Sequence, residues 1–238
     1  MTSWQAYPCG RAGPCRLTEV MVFEMEKSIL NGKVLVALGD SLFHGNKLGN
    51  GATWINKLGE ACGMTVYNHG INGNTLALNT INQKHPPMCV RYADMEDGAD
   101  YVVVIGGAND KRLCVPIGEN SDTDIGTFKG ALNTLIKGLT EKYPKAKILF
   151  MTNYARHAYP SDIGLCEIEY VNAMLEICAN WAIPCFDNYH NSGICFANPA
   201  QQKWMDEGIS LGIGPNFHFS DEAYTWLLPK YKALLEAL

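Results

Sequence analysis

The 238-residue chain has no long hydrophobic run, no basic cluster and no closely spaced pair of cysteines. No apolar stretch approaches the ~18 residues of a membrane-spanning helix, so no membrane span is expected. The first residues, MTSWQAYPCGRAGPCRLTEV, lack the basic start and apolar core of a secretory signal. The expectation is a cytoplasmic protein, with secretion left open. Nineteen Lys and Arg stand against 24 Asp and Glu, a net charge of −5 without any basic stripe. That balance argues against a nucleic-acid partner. None of the nine cysteines forms a C-x-x-C pair, and the number is odd. Zinc knuckles, redox pairs and disulfide frameworks are therefore not indicated, and the thiols read as small buried hydrophobes. Cys9 and Cys15, which flank a Gly-Pro turn, are the exception to watch.

Several catalytic signatures are missing too. There is no G-x-S-x-G, so the nucleophile elbow of α/β-hydrolases is absent. There is no phosphate-binding G-x-x-x-x-G-K-[ST] loop, no G-x-G-x-x-G after the first strand and no H-E-x-x-H. Neither cofactor nor metal is expected.

What is present is ordinary globular material, 47% hydrophobic and 18% charged, long enough for a sizeable core. Residues 1–30, with Pro8, Gly10, Gly13 and Pro14 and no clear periodicity, read as an appendage outside the site. Residues 31–238 read as one domain, without repeats or low-complexity tracts. Short apolar runs bounded by turn residues predict strands over about 34–38, 65–68, 101–105, 148–151 and 184–187. Between them, apolar residues three or four apart predict helices over about 53–62, from Ile125 to Leu139 and from Ile168 to Cys178, and a last one from about Asp221. A weak helix is expected after Thr75, a polar loop over 111–124, and a kink or break at Pro229. Trp54 and Trp226 read as core residues. Alternating strands and helices predict an α/β protein: a three-layer α/β/α sandwich with a parallel, flavodoxin-like sheet of about five strands.

In a parallel sheet the strand ends share one edge, where open α/β folds bind ligands. Unusual residues collect at those ends. Strand one stops at Gly39-Asp40-Ser41, strand two leads into Gly70-Ile71-Asn72-Gly73-Asn74-Thr75, and strand three into Gly107-Ala108-Asn109-Asp110. Before the last helix comes Pro215-Asn216-Phe217-His218-Phe219-Ser220-Asp221. Four such blocks in this order resemble the SGNH, or GDSL, hydrolases, over the chain from Lys33 onward. The resemblance implies a serine esterase or lipase that works through an acyl-enzyme. Ser41 would be the nucleophile and His218 its base; the backbone N–H groups of Ser41 and Gly73 and the Asn109 amide would form the oxyanion hole.

The sequence departs from that pattern at one place. The family sets an aspartate three residues before the histidine, and here that position is Pro215. A Ser–His dyad is the reading, with the imidazole held by a main-chain carbonyl or by Asn216, and with Asp187 as the lesser candidate. Asp40 and Asp110 read as turn-holding residues. His44, Asn74, Tyr154 and His157 are candidate substrate contacts. The absence of a long apolar lid points to short-chain acyl or acetyl esters, and the polar, aromatic loop over 153–161 to a carbohydrate alcohol. The expected partner is thus a small-molecule or glycan ester. A lysophospholipase or thioesterase of the same family, or a decayed carbohydrate- or protein-binding module, are the alternatives.

Overall fold

Successive side chains of a strand point to opposite faces of its sheet, so a strand buried on both sides feeds two cores. The computed structural model describes residues 28–80, 84–156, 164 and 166–238, and its sheet is built this way. The strands are β1 (Val34–Gly39), β2 (Thr65–Gly70), β3 (Tyr101–Ile105), β4 (Lys147–Met151) and β5 (Cys185–Phe186). All neighbours are parallel, in the order β2-β1-β3-β4-β5. This is the flavodoxin-like order, whose switch point lies between β1 and β3.

The helices are α1 (Ser41–His44), α2 (Trp54–Cys62), α3 (Met88–Arg91), α4 (Ala108–Arg112) and α5 (Phe128–Lys142). They continue with α6 (Glu167–Asn180), α7 (Asn188–Asn191), α8 (Pro199–Met205), α9 (Glu207–Ser210) and α10 (Asp221–Ala237). Leu35, Ala37, Val103 and Ile105 face one core with Phe43, Trp54, Leu58, Tyr224 and Tyr231 of α1, α2 and α10. Val36, Leu38, Val102 and Val104 face the other with Met88, Leu132, Leu135 and Met174 of α3, α5 and α6. The result is the expected α/β/α sandwich.

Local chemistry sets the helix starts. The Thr127 hydroxyl accepts from Gly130 N at the head of α5, and Ser220 does the same for Ala223 N at the head of α10. Each is an N-cap that satisfies an otherwise free amide.

Four expectations change. No helix follows Thr75 directly, because Leu76 N and Ala77 N are held by the Asp110 carboxylate and Leu78 N by Ile125 O. The loop after strand three opens with the helical turn α4. Helix α10 runs through Pro229 without a break. Pro229 and Thr225 both lie on the exposed face, so water can serve the carbonyl that the proline leaves unpaired, while Leu227, Tyr231 and Leu235 anchor the other face. Trp54 is core, but Trp226 is 43% exposed and meets Trp204 edge-on.

At the domain's start, Leu30 is buried and the Ser28 hydroxyl donates to Glu236 Oε1 at 2.6 Å. Cys9 and Cys15 lie outside the described residues. Of the described cysteines, all free, Cys62, Cys89 and Cys178 are buried and the other four are half-buried.

Candidate active site

The switch point puts the ends of β1 and β3 side by side. After β1, Asp40 is buried and caps α1 by accepting from Leu42 N at 2.9 Å. Burial raises its carboxyl pKa above the ordinary value. Ser41 is the first residue of α1, so no bond within the helix claims its amide N–H. After β3 the chain turns at Gly107, whose φ of 104° is left-handed. A side chain there would be strained and would press on Asn153 and Phe128.

That turn brings Asn109 against the end of β1. Arg112 donates to Asn109 Oδ1 from Nε at 3.2 Å and Nη2 at 3.1 Å, which fixes the direction of the amide. Asn109 Nδ2 donates to Asn74 O at 3.1 Å and stands 3.4 Å from Asp40 Oδ2. Asp110 faces inward, where its carboxylate pins the Leu76–Ala77 segment, and burial pushes its pKa up to about 7.

His218 arrives from the far end of the chain, and its Nε2 lies 2.8 Å from Ser41 Oγ. Phe217, just before it, has a φ of 58°, a strained value for a bulky residue. Asp206 holds that turn: its carboxylate accepts from Asn216 N at 3.2 Å and Phe217 N at 2.9 Å. Burial lowers the His218 pKa, and Arg156 lowers it further, while Glu207 and Asp206 act the other way. When Nε2 accepts the serine hydrogen the ring proton sits on Nδ1. Nδ1 is buried and has no partner among the described residues.

Ser41, Asn109, Asn216 and His218 line one cleft of about 310 Å³ with Ala108, Lys111, Arg112, Arg156, Glu167 and Phe217. Gly73, also left-handed, lines an adjoining hollow with Asn72, Asn74, Asn79, Lys84, His85 and Arg112. Arg112 is common to both. Lys111, Arg112 and Arg156 outnumber Glu167, the one acid of the cleft lining, whose pKa is raised by burial.

Other anticipated residues stand elsewhere. Asp187 is committed to His190, accepting from its backbone N at 3.1 Å and lying 2.6 Å from its Nδ1, and does not reach His218. Asn216 contacts His218 through the main chain, not the ring: its Oδ1 accepts from His218 N at 3.1 Å. No carbonyl among the described residues holds the imidazole Nδ1 either. His44 Nδ1 faces Gly70 O at 3.2 Å, which fastens α1 to β2. Asn74 accepts from Arg91 Nε at 2.6 Å and donates to Pro86 O at 3.0 Å, a buried tie rather than a free contact. Tyr154 is buried in the core, with its hydroxyl on that of Tyr231 and its ring edge-on to Phe219. His157 lies outside the described residues.

Lys111, Arg112 and Glu167 were not singled out from the sequence, whereas Arg156 belongs to the polar, aromatic loop over 153–161 that was. Lys111 and Arg112 follow Asn109 within one helical turn, and that spacing was the available signal. Nothing in the sequence marked Glu167.

A family model described as the GDSL-like lipase/acylhydrolase family matches residues 37–226. A solved structure 31% identical to the chain superposes with a TM-score of 0.78 and covers 88% of this chain and 98% of the other. A protein from Lactobacillus plantarum is 25% identical, with a TM-score of 0.75 and coverage of 87% and 98%. A possible lipase from Chitinophaga pinensis, 19% identical, shares the fold with a TM-score of 0.66 and coverage of 86% and 98%. Among curated proteins there is no match. The match runs from β1 into α10 and so takes in every one of the four strand-edge blocks, and the chain belongs to the GDSL-like lipase/acylhydrolase family.

Proposed function

We propose that the protein hydrolyses carboxylic esters of short acyl groups, acetyl among them, carried on polar alcohols such as sugars. The observation that carries this reading is the 2.8 Å contact between His218 Nε2 and Ser41 Oγ in a cleft open to substrate. A serine hydroxyl is a weak nucleophile until a base takes its proton. His218, kept neutral by burial, accepts that proton as Ser41 Oγ bonds to the carbonyl carbon.

The carbonyl oxygen becomes an oxyanion. Asn109 Nδ2 can donate to it, because its 3.4 Å contact with Asp40 is long and easily exchanged. The N–H groups of Ser41 and Gly73 are the other proposed donors. Collapse expels the alcohol, which takes the proton from His218. Water then adds to the acyl-enzyme, giving its proton to His218, and the acid leaves as Ser41 recovers its hydrogen.

The cleft walls support the substrate class. They are charged or polar at Lys111, Arg112, Arg156, Glu167 and Asn216, and the adjoining hollow is rich in asparagine. Such walls suit a hydroxylated alcohol.

Hydrolysis of p-nitrophenyl acetate by purified protein tests the reading. Ser41→Ala should abolish it, and retained activity would remove Ser41 from its role. A series of p-nitrophenyl esters beside acetylated xylan tests the substrate: kcat/KM should fall as the acyl chain lengthens, and a rise toward long chains would overturn the short-acyl assignment.

A further inference from the structure

The histidine loop lacks the carboxylate that the family sets three residues ahead of the base, and nothing among the described residues hydrogen-bonds to His218 Nδ1. Yet the loop is held in a strained turn, which persists only where its surroundings over-determine it. The restraint comes from the junction of α8 and α9. Glu207 is fully buried, and its carboxylate accepts three hydrogen bonds. Asn46 Nδ2 donates at 2.7 Å and Lys47 N at 2.9 Å, both from the segment that follows α1. Asn216 Nδ2 donates at 2.8 Å from the histidine loop. The Glu207 amide N–H in turn donates to His218 O. One side chain thus ties the element bearing Ser41 to the loop bearing His218.

We propose that Glu207 is the positioning residue of this site, doing from a separate helix what the aspartate three residues upstream does in the family pattern. It acts in two ways. It fixes the distance between the two reacting side chains by clamping the segments that carry them. It also places a negative charge near the imidazolium that forms when Ser41 attacks, acting through space because Nδ1 has no acceptor among the described residues. A buried carboxylate with three donors suits that task, since its oxygens are fixed in place. Among the described residues, Glu207 and Asp206 favour the protonated form of His218 and Arg156 opposes it, while Lys111, Arg112 and Glu167 share its cleft.

Glu207→Gln keeps the shape and removes the charge. In the full chain it should lower kcat on p-nitrophenyl acetate tenfold or more with little change in KM. The acid limb of kcat/KM should move to lower pH, because the imidazole loses a stabilising charge. Unchanged kcat, or a fall in kcat with the limb in place, would each overturn the proposal, the second by reducing Glu207 to a structural brace. If Glu207→Gln does not accumulate as folded protein, Glu207→Asp carries the test. It retains the charge one methylene short, so kcat should fall severalfold with the acid limb unmoved, and full activity would sink the idea.

The kinetic arm rests on the esterase reading. An NMR titration of the His218 ring, assigned with His218→Gln, does not. Its midpoint should drop in Glu207→Gln whether or not any ester is turned over, and an unmoved midpoint refutes the electrostatic role by itself.

Discussion

Asn109 shows how much of the site depends on one oriented amide. Arg112 holds its oxygen from two nitrogens, so the nitrogen is turned away toward the end of β1. If Asn109 is the oxyanion donor proposed above, Asn109→Ala should lower kcat by ~10²–10³ with KM nearly unchanged, since such a donor acts in the transition state. Steady-state kinetics on p-nitrophenyl acetate measure both. His218 sets the pH dependence. Its pKa is lowered by burial, so it remains a neutral, competent base below the ordinary histidine value of about 6.5. The acid limb of kcat/KM is therefore expected below that value, and a pH–rate profile checks it. The sign for stability is consistent. The unfolded chain binds a proton there more readily than the folded one, so this residue's share of stability is complete above about 6.5 and is lost as pH falls toward the folded value. The serine, the histidine and the asparagine were legible as residue types at strand ends. Glu207 was not, because its partners Asn46 and Lys47 lie 161 and 160 residues away and no pattern in the chain links them.

At the scale of elements, the strands and long helices were legible because their residues are apolar at the right period. Strand β3 lies where its run of Tyr, Val and Ile predicts, and α5 buries Phe128, Leu132, Leu135 and Leu139 on one face. Leu132→Ala should destabilise the protein by about 2–5 kcal/mol, the usual cost of a cavity beneath a fully buried leucine. Urea unfolding followed by circular dichroism measures it, and activity of the remaining folded fraction should stay near normal because α5 contributes no residue to the cleft. The elements that eluded the sequence are the ones whose backbone groups bond over long range. The segment after Thr75 gives its amides to Asp110 and Ile125 instead of forming a helix. At Pro229 the local rule predicted a break, but the buried side of α10 outweighs one lost hydrogen bond on its exposed side.

For the whole molecule, the order β2-β1-β3-β4-β5 makes the site by placing the ends of β1 and β3 next to each other. Among the described residues no helix is long and apolar enough to cross a membrane. The sequence alone determined the fold class and the family, and it marked Ser41, Asn109 and His218 as the proposed site, because periodicity and strand-end motifs are local properties of a chain. Tertiary structure decided the rest. It brought Ser41 and His218, 177 residues apart, within 2.8 Å of each other. It buried Asn74 and Tyr154, gave Asp187 to His190, and brought Lys111, Arg112 and Arg156 to the cleft. It also set Glu207 between the two halves of the pair. Hydrogen bonds and burial of this kind depend on which distant segments meet, and that is settled only when the sheet has paired and both helical layers have closed on it.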